Sequence, residues 1–349
     1  MARIQRSVMN KCLRWLGGCL LCVVIPCAAR DNPADDNRAP DSGERVVLFP
    51  KLAVGQTFRY QIGYRAGTNT NTESSVAAPM APTGGQTNEN LVLQVEVDDL
   101  RIDAGRTVAR LLTQILDPDA VVPAKPVIPN PSSPAPDQNA AAKPTARAKA
   151  VEFVFHPDGQ VTDIEGLDKL SPDEQAAWQE WLARFGGSAA FPEKGIRPGE
   201  KWKAEEPITN ALLTGLSWEK ETEYVSDAPC AATKITPQGD LAAAPQPLEQ
   251  CAVILTTAIM KQKSSQKDAT PEDYKLHDLR TMGIASGKNE IVTYISLKTG
   301  FVIRATEDAK QSMNVIVAKT DGSNRVHYMI DAESHAQVVL LAPETPPNP

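Results

Sequence analysis

Apolar and polar residues alternate with a period of two along most of the chain. Residues 58–64 (FRYQIGY) and 91–97 (LVLQVEV) carry the pattern most clearly. Such alternation predicts β-strands with one buried face and one solvated face. Further strands are predicted at residues 108–116, 151–155, 160–164, 216–224, 251–260, 290–297, 301–306, 312–318, 325–331 and 338–341. Short turns separate many of these segments, which favours an antiparallel meander.

One helix interrupts this pattern. Ser171, Pro172 and Glu174 supply an N-cap, a proline at the first helical position and an acid three residues after the cap. The helix then carries an apolar stripe made of Trp178, Trp181, Leu182 and Phe185, and glycines at 186 and 187 stop it. An aromatic stripe of this size needs a large apolar partner, which a curved sheet would provide. A cofactor or lipid box is the alternative interpretation.

These elements predict a β-rich α+β fold. We expect a large, curved, mainly antiparallel sheet, arranged as a half-barrel-like meander around one amphipathic helix. Residues 55–59 (GQTFR) and 199–203 (GEKWK) share a glycine–polar–polar–aromatic–base order. This similarity suggests two related halves, 45–187 and 195–341, within a β-rich domain of residues 45–341.

Four polar tracts lack this periodicity. Residues 30–44 are rich in Asp and Pro and are predicted to form a disordered leader. Residues 68–88 share this polar character, and residues 342–349 form a Pro-rich, flexible tail. Residues 117–147 contain eight prolines, which cannot sit inside a regular helix or a central strand. This Pro/Ala-rich insertion is predicted to be an extended loop or linker.

Residues 1–29 are typical of a secretory signal peptide. Four basic residues precede an apolar run at 15–26 (WLGGCLLCVVIP), and small residues follow, which predicts cleavage after Ala29. The run is too short to span a bilayer, so no transmembrane segment is expected in the mature chain. We therefore expect a periplasmic or extracellular protein. Removal of the leader leaves 32 basic and 43 acidic residues, a net charge of −11, which argues against nucleic-acid binding.

The leader also holds four of the six cysteines, so the mature chain retains only Cys230 and Cys251. An even pair in an exported protein predicts a disulfide, and two buried free thiols are the alternative. Lipidation at Cys19 is not favoured, because Arg14 interrupts the apolar run that should precede a lipidated cysteine.

No catalytic, cofactor-binding or metal-binding residue is predicted. The four histidines form no HExxH motif, and residues 283–287 (GIASG) place serine one position later than a GxSxG elbow requires. P-loop and GxGxxG motifs are absent from the sequence. The acid pairs Asp98-Asp99 and Glu205-Glu206 should point to opposite faces of their strands, and so cannot cooperate. No cofactor is expected, and the chain is not predicted to be an enzyme.

The hairpin FHPDGQVTDIEG at 155–166 and the segment FPEKGIRPGEKW at 191–202 resemble uncharacterised exported bacterial proteins, defined only as domains of unknown function. The resemblance covers roughly residues 46–335. More distantly, a helix packed in a curved meander is similar to periplasmic lipoprotein carriers of the LolA and LppX type. That similarity implies that the concave face of the sheet holds acyl chains.

Three functional hypotheses follow. The first is a non-catalytic envelope protein that binds an apolar or amphipathic ligand, such as a lipid, on the concave face of its sheet. The second is a structural or interaction protein whose partner is another envelope protein and which holds no small ligand. The third, a minor alternative, is a hydrolase with catalytic carboxylates drawn from distant positions.

Overall fold

The computed structural model describes residues 45–75, 82–103, 106–116, 149–156, 159–186, 191–192, 194–209, 211–235, 241–243 and 249–343. Several predictions lie outside these ranges. They are the signal peptide at 1–29, the leader at 30–44, the insertion at 117–147 and most of the tail at 342–349.

The described residues form a thirteen-stranded sheet. The strands are β1 (Thr57–Ser74), β2 (Thr83–Asp103), β3 (Arg106–Leu116), β4 (Ala150–Phe155), β5 (Val161–Glu165), β6 (Lys201–Pro207), β7 (Leu216–Cys230), β8 (Thr233–Ile235), β9 (Leu241–Ala243), β10 (Glu249–Gln262), β11 (Leu279–Ser296), β12 (Val302–Lys319) and β13 (Val326–Leu341). The α-helices are α1 (Pro172–Gly186) and a single turn, α2 (Glu272–Lys275), and a short 3-10 helix (Leu167–Lys169) precedes α1. The prediction of a β-rich, curved, mainly antiparallel sheet with one amphipathic helix is confirmed.

The main path of the sheet runs β5-β4-β3-β2-β1-β13-β12-β11-β10-β7-β6. Each neighbouring pair on this path is antiparallel, and β1 pairs with β13 over Arg59 to Ser74. The short strands β8 and β9 pair with each other, and β8 meets β13 at Thr233 and Leu341. The first and last long strands thus join the N-terminal and C-terminal strand groups into one continuous sheet. The division into two similar halves stays a prediction.

Several sequence-based strand boundaries were wrong. Residues 68–74 and 83–88 are polar, but they lie in the strands β1 and β2. Thr68 to Ser74 pair with residues 326–332 of β13, and residues 83–88 pair with β1. That pairing satisfies the backbone, and threonine favours extended structure even on a polar strand.

The strands predicted at 301–306 and 312–318 are one strand, β12, and those at 325–331 and 338–341 are one strand, β13. The polar residues between them lie within regular ladder pairs, such as Lys310 opposite Glu333. The alternation of apolar and polar residues is weaker in these segments, but the pairing between the strands continues through them.

The helix α1 begins where its cap predicts. Ser171 N–H donates to Glu174 Oε2 at 2.7 Å, and Glu174 N–H donates to Ser171 Oγ at 3.2 Å. This reciprocal capping box satisfies two backbone donors that the helix itself leaves unpaired. The stripe residues Trp178, Trp181 and Phe185 are buried against the sheet.

The helix-side core is the apolar cluster between α1 and the sheet. Its largest fully buried members are Trp178, Trp181, Tyr60, Tyr224, Phe153, Phe155 and Phe185. The rings of Trp181 and Phe185 stack with centroids 5.1 Å apart, and Phe153 meets Trp178 edge-on at 5.7 Å. The segment at residues 45–52 closes this core, since Leu48 is buried within it and Lys51 N–H donates to Thr299 O at 2.8 Å.

A second cluster, the distal core, lies further along the same strands. It comprises Ala211, Leu212, Leu213, Leu216, Met260, Ala269, Met313, Val315, Val317, Tyr328 and Ile330. Along β12, Ala305 belongs to the helix-side core, whereas Met313, Val315 and Val317 belong to the distal core. All four are odd-numbered positions of one strand, so both cores lie on the same face of the sheet. We call this the helix-bearing face.

The structure forms the disulfide between Cys230 and Cys251, with their Cα atoms 5.9 Å apart. The bond joins the end of β7 to the start of β10, and Ile303 packs against it. Within the described ranges, no helix is both long enough and apolar enough to cross a membrane.

Candidate functional site

The helix-bearing face carries a group of charged side chains that lies in the interior of the protein. The buried charge cluster consists of Glu180 and Arg184 from α1, Glu307 from β12 and Asn289 from β11. Glu180 is 2 % exposed and Glu307 is 5 % exposed. Charged side chains are seldom buried so completely unless they are paired, so this cluster is the most unusual chemical feature of the fold.

The spacing of these residues along α1, β11 and β12 explains why their side chains lie close together. Glu180 and Arg184 are four residues apart, so they lie on one face of α1, toward its C-terminal end. Glu307 occupies an odd-numbered position of β12 and so points to the helix-bearing face. Ile291 of β11 lies opposite Glu307, which places Asn289 as the diagonal neighbour of Glu307 on the same face.

Arg184 is the centre of the cluster. Its Nε donates to Glu180 Oε1 at 2.6 Å, and a terminal guanidinium nitrogen donates to Glu307 Oε2. The Asn289 amide nitrogen donates to the other oxygen of Glu307. One guanidinium therefore links two carboxyl groups that belong to different elements, and it ties α1 to the centre of the sheet.

The two carboxyl groups have opposite pKa shifts. Burial raises the pKa of Glu307 to about 8, and the charge of Glu180 adds to this rise, although Arg184 opposes it. Burial also acts against ionisation of Glu180, but Arg184 and a hydrogen bond with Glu307 outweigh it and lower the pKa of Glu180. These opposite shifts favour retention of one proton by the pair, on Glu307, at pH values where an ordinary carboxyl group is ionised.

A second ion pair lies beside the cluster. Lys220 of β7 donates to Glu206 of β6, and the charge of Glu206 contributes to the raised pKa of Arg184. Glu205, the sequence neighbour of Glu206, pairs with Lys263 rather than with Lys220. The adjacent acids Glu205 and Glu206 therefore engage different partners, in line with the expectation that they point to opposite faces.

Two cavities on the described surface, away from the cluster, are small and lined mainly by polar side chains. One of about 200 Å³ is lined by Arg101, Arg110, Glu152, Asp163 and Glu165, together with Phe153 and Val154. Another of about 270 Å³ is lined by Glu73, Ser74, Ser75, Arg325 and His327. Neither is the apolar chamber that an acyl chain would need.

The histidines lie apart from the buried charge cluster. His335 contacts Asp308 at 2.9 Å, His327 contacts Asn314 at 2.7 Å, and His156 contacts Thr162 at 3.0 Å. The segment at 283–287 is part of the strand β11 rather than a nucleophile elbow. Among the described residues, no group of three or more His, Cys, Asp or Glu could hold a metal ion.

The buried charge cluster is not predicted by the sequence patterns described above. Glu180 and Arg184 form the i, i+4 pair that is usual on a solvated helix face, so nothing in the helix alone marks them as buried. The one available signal was Glu307, an acid at a position where the alternation of β12 calls for a core residue. The predicted strand break at 307–311 concealed that signal.

No protein-family model matches the sequence, and no curated protein matches it. Among solved structures, the chain is similar to a protein from Parabacteroides distasonis described as a lipoprotein. The identity is 7 %, with 85 % of this chain and 98 % of that chain covered, and the TM-score is 0.26.

Two membrane channels are also similar. A mutant of the TodX monoaromatic hydrocarbon channel is 8 % identical over 86 % of this chain and 93 % of that chain, with a TM-score of 0.17. A mutant porin from Rh. blastica is 10 % identical over 80 % of this chain and 99 % of that chain, with a TM-score of 0.18. At these TM-scores, the similarity carries no argument about fold or function.

Proposed function

We propose that the protein is an exported, non-catalytic envelope protein that acts by contact with another envelope protein and holds no small ligand. The observation that carries this proposal is that α1 occupies the face of the sheet where a carrier would hold its ligand. Trp178 and Trp181 are 1 % and 0 % exposed there, and they pack against Tyr60 and Phe153. A face filled by its own side chains leaves no space for an acyl chain.

Export is supported by the cysteine chemistry. The disulfide between Cys230 and Cys251 is of the kind that persists in oxidising compartments and is rare in the cytosol. The leader-like composition of residues 1–29 agrees with this, and we propose a periplasmic or extracellular location after cleavage behind Ala29.

The burial of the carboxyl groups supports a non-catalytic role. Glu180 and Glu307 have the shifted pKa values that often accompany catalysis. Both are enclosed by α1 and the sheet, so a substrate could not approach them without displacement of the helix. A structural ion cluster perturbs pKa values in the same way, and that interpretation needs no opening of the fold.

The carrier hypothesis, derived from the resemblance to LolA-type and LppX-type proteins, stays a prediction. It requires α1 to leave the sheet, because the apolar surface that would hold a lipid is the surface that α1 now covers. The distal core offers no substitute, since Leu213 and Ala269, from segments outside the long strands, are themselves buried in it.

Mass spectrometry can separate the two functions. The protein is purified from the envelope without detergent and analysed first under native and then under denaturing conditions. We expect the same polypeptide mass in both, with one disulfide and no released lipid. Stoichiometric release of a lipid or fatty acid on denaturation would overturn the proposal in favour of a carrier.

Contact with a partner is tested by crosslinking. Intact cells are treated with a short amine-reactive crosslinker, and the protein is recovered through an affinity tag. We expect a crosslinked species that contains one defined envelope protein at reproducible lysines of this chain. Recovery of the uncrosslinked protein alone, at all crosslinker concentrations, would contradict the proposal.

A further inference from the structure

The buried charge cluster has fewer positive than acidic groups. Glu180 and Glu307 both contact Arg184, so the trio is neutral only when one of the two carboxyl groups carries a proton. Each carboxyl group belongs to a different element, because Glu180 lies on α1 and Glu307 lies on β12. Any repulsion between them acts directly across the interface that holds α1 against the sheet.

We propose that this cluster is a proton-sensitive clasp: a single proton held between Glu180 and Glu307 beside Arg184 keeps α1 docked, and loss of that proton loosens α1 from the sheet. Ionisation of both carboxyl groups leaves a buried net negative charge that one guanidinium cannot neutralise. Burial of an uncompensated charge is costly, and withdrawal of the helix relieves it by admitting water.

Polar or charged side chains in or beside the clasp come from α1, β12, β11 and the β6–β7 pair. The helix α1 provides Glu180 and Arg184, β12 provides Glu307, and β11 provides the neutral amide of Asn289. From β6, Glu206 acts on Arg184, but Lys220 of β7 already neutralises it. The outer ion pair therefore adds no net charge, and the proton balance rests on the two carboxyl groups of the clasp.

The direction of the pH dependence follows from the two shifts. The pKa of Glu307 is raised from its ordinary value of 4.5 to about 8, so its stabilising effect is complete below pH 4.5 and is lost as pH rises through about 8. The pKa of Glu180 is lowered, so its contribution is present above the ordinary value and is lost as pH falls. The clasp is therefore tightest in mildly acidic solution, near the ordinary pKa of a carboxyl group, and it loosens progressively as pH rises toward about 8.

The consequence is a switch for the helix-bearing face. Withdrawal of α1 would uncover the aromatic side chains Trp178, Trp181 and Phe185 together with the sheet positions that they cover. The docked and undocked forms differ by the presence of one proton, which is the kind of local charge change that biases a two-state element.

The test compares urea unfolding of wild type, Glu307→Gln and Glu180→Gln between pH 5 and 9, with the disulfide intact. Glu307→Gln imitates the protonated acid, and Glu180→Gln leaves Arg184 a single carboxylate partner. The control is Glu333→Gln, an exposed acid that pairs with Lys310 on the neighbouring strands.

We expect the folding equilibrium constant of wild type to fall by up to about tenfold for each pH unit as pH rises toward 8. Each of the clasp variants, Glu307→Gln and Glu180→Gln, should reduce the pH dependence of the folding equilibrium constant. If one of them does not fold, the other still tests the proposal. The proposal would be overturned if a folded clasp variant kept the pH dependence of wild type. It would also be overturned if Glu333→Gln reduced the pH dependence of the folding equilibrium constant as much as the clasp variants do.

A local readout locates the effect. Hydrogen exchange of the peptide that spans residues 172–186 is measured in wild type and in Glu307→Gln at each pH, and the ratio of the two rates cancels the intrinsic dependence on pH. We expect this ratio for α1 to rise between pH 5 and 8 and to level off above pH 8, while the ratio for peptides from residues 311–319 of β12 stays near unity. A ratio that rises equally in both regions would indicate global destabilisation and would contradict a clasp specific to α1.

Discussion

The helix-side core and the distal core share one face of one sheet, yet they are built differently. The helix-side core packs tryptophan, phenylalanine and tyrosine between α1 and the strands. The distal core includes Tyr328 but otherwise relies on methionine and aliphatic residues, with Leu213 and Ala269 contributed from outside the long strands. A continuous helix brings a pre-formed aromatic stripe, whereas irregular segments can add only single side chains. The helix-side core is therefore the larger of the two and is centred on aromatic contacts, whereas the distal core is smaller and mainly aliphatic.

The largest predicted effect is the loss of a helix-side aromatic. Trp181→Ala removes a fully buried ring that contacts Tyr60, Phe153 and Phe185, and it should lower the free energy of unfolding by about 3–5 kcal/mol. Met313→Ala in the distal core should cost about 2–3 kcal/mol, because less volume is removed. Urea unfolding at constant pH measures both. A larger cost for Met313→Ala would reverse the comparison.

Removal of the disulfide should affect both cores together. The bond connects β7 and β10, and Cys230 and Cys251 are 21 residues apart in sequence. The double substitution Cys230→Ser and Cys251→Ser should cost about 3 kcal/mol, mainly through the greater freedom of the unfolded chain. We expect one cooperative unfolding transition at a lower urea concentration. Two separate transitions would show that the cores unfold independently, which a single continuous sheet does not predict.

A smaller change should act on the helix-side core alone. Ser171→Ala removes the hydroxyl that accepts from the Glu174 N–H, and it should cost about 1 kcal/mol. Hydrogen exchange should accelerate in α1 but not in the peptide that spans residues 263–278 near the distal core. Ser323→Ala, in the turn between β12 and β13, is the matched surface control. Equal acceleration near the distal core would argue against separate local stabilities.

The smallest predicted difference separates the two tryptophans of α1. Trp178 Nε1 donates to Thr113 Oγ1 at 2.9 Å, whereas the Nε1 of Trp181 is buried and meets no hydrogen-bond partner among the described residues. Trp178→Phe should therefore cost about 1 kcal/mol more than Trp181→Phe, since only the first substitution removes a hydrogen bond. Thermal unfolding of the two variants, side by side, measures this difference. Equal costs would mean that packing alone determines the strength of the aromatic stripe.

The elements that could be predicted are those whose signals lie close together in the sequence. The helix α1 was predictable because its capping box, apolar stripe and glycine stop are all local in sequence. The strand at residues 58–64 was predictable for the same reason, since its alternation is visible over a few residues. The extension of β1 to Ser74 was not, because a polar segment becomes a strand only when a distant partner, β13, completes its ladder.

The buried charge cluster could not be predicted from local sequence patterns, for a related reason. Whether Arg184 reaches solvent or Glu307 depends on how α1 is rotated against a strand more than 100 residues later, and no local motif encodes that rotation. The disulfide was different, because only two cysteines remain outside the leader and so only one pairing is available.

The most direct test of the central claim is hydrogen exchange of α1 in the presence of a lipid. The native protein is exchanged at pH 6 with and without an excess of oleate, and the peptide spanning residues 172–186 is followed. If α1 fills the helix-bearing face at this pH, where the clasp is protonated, its amides exchange slowly and at the same rate in both samples. A clear change in α1 exchange with oleate, in either direction, would contradict that claim and restore the carrier hypothesis.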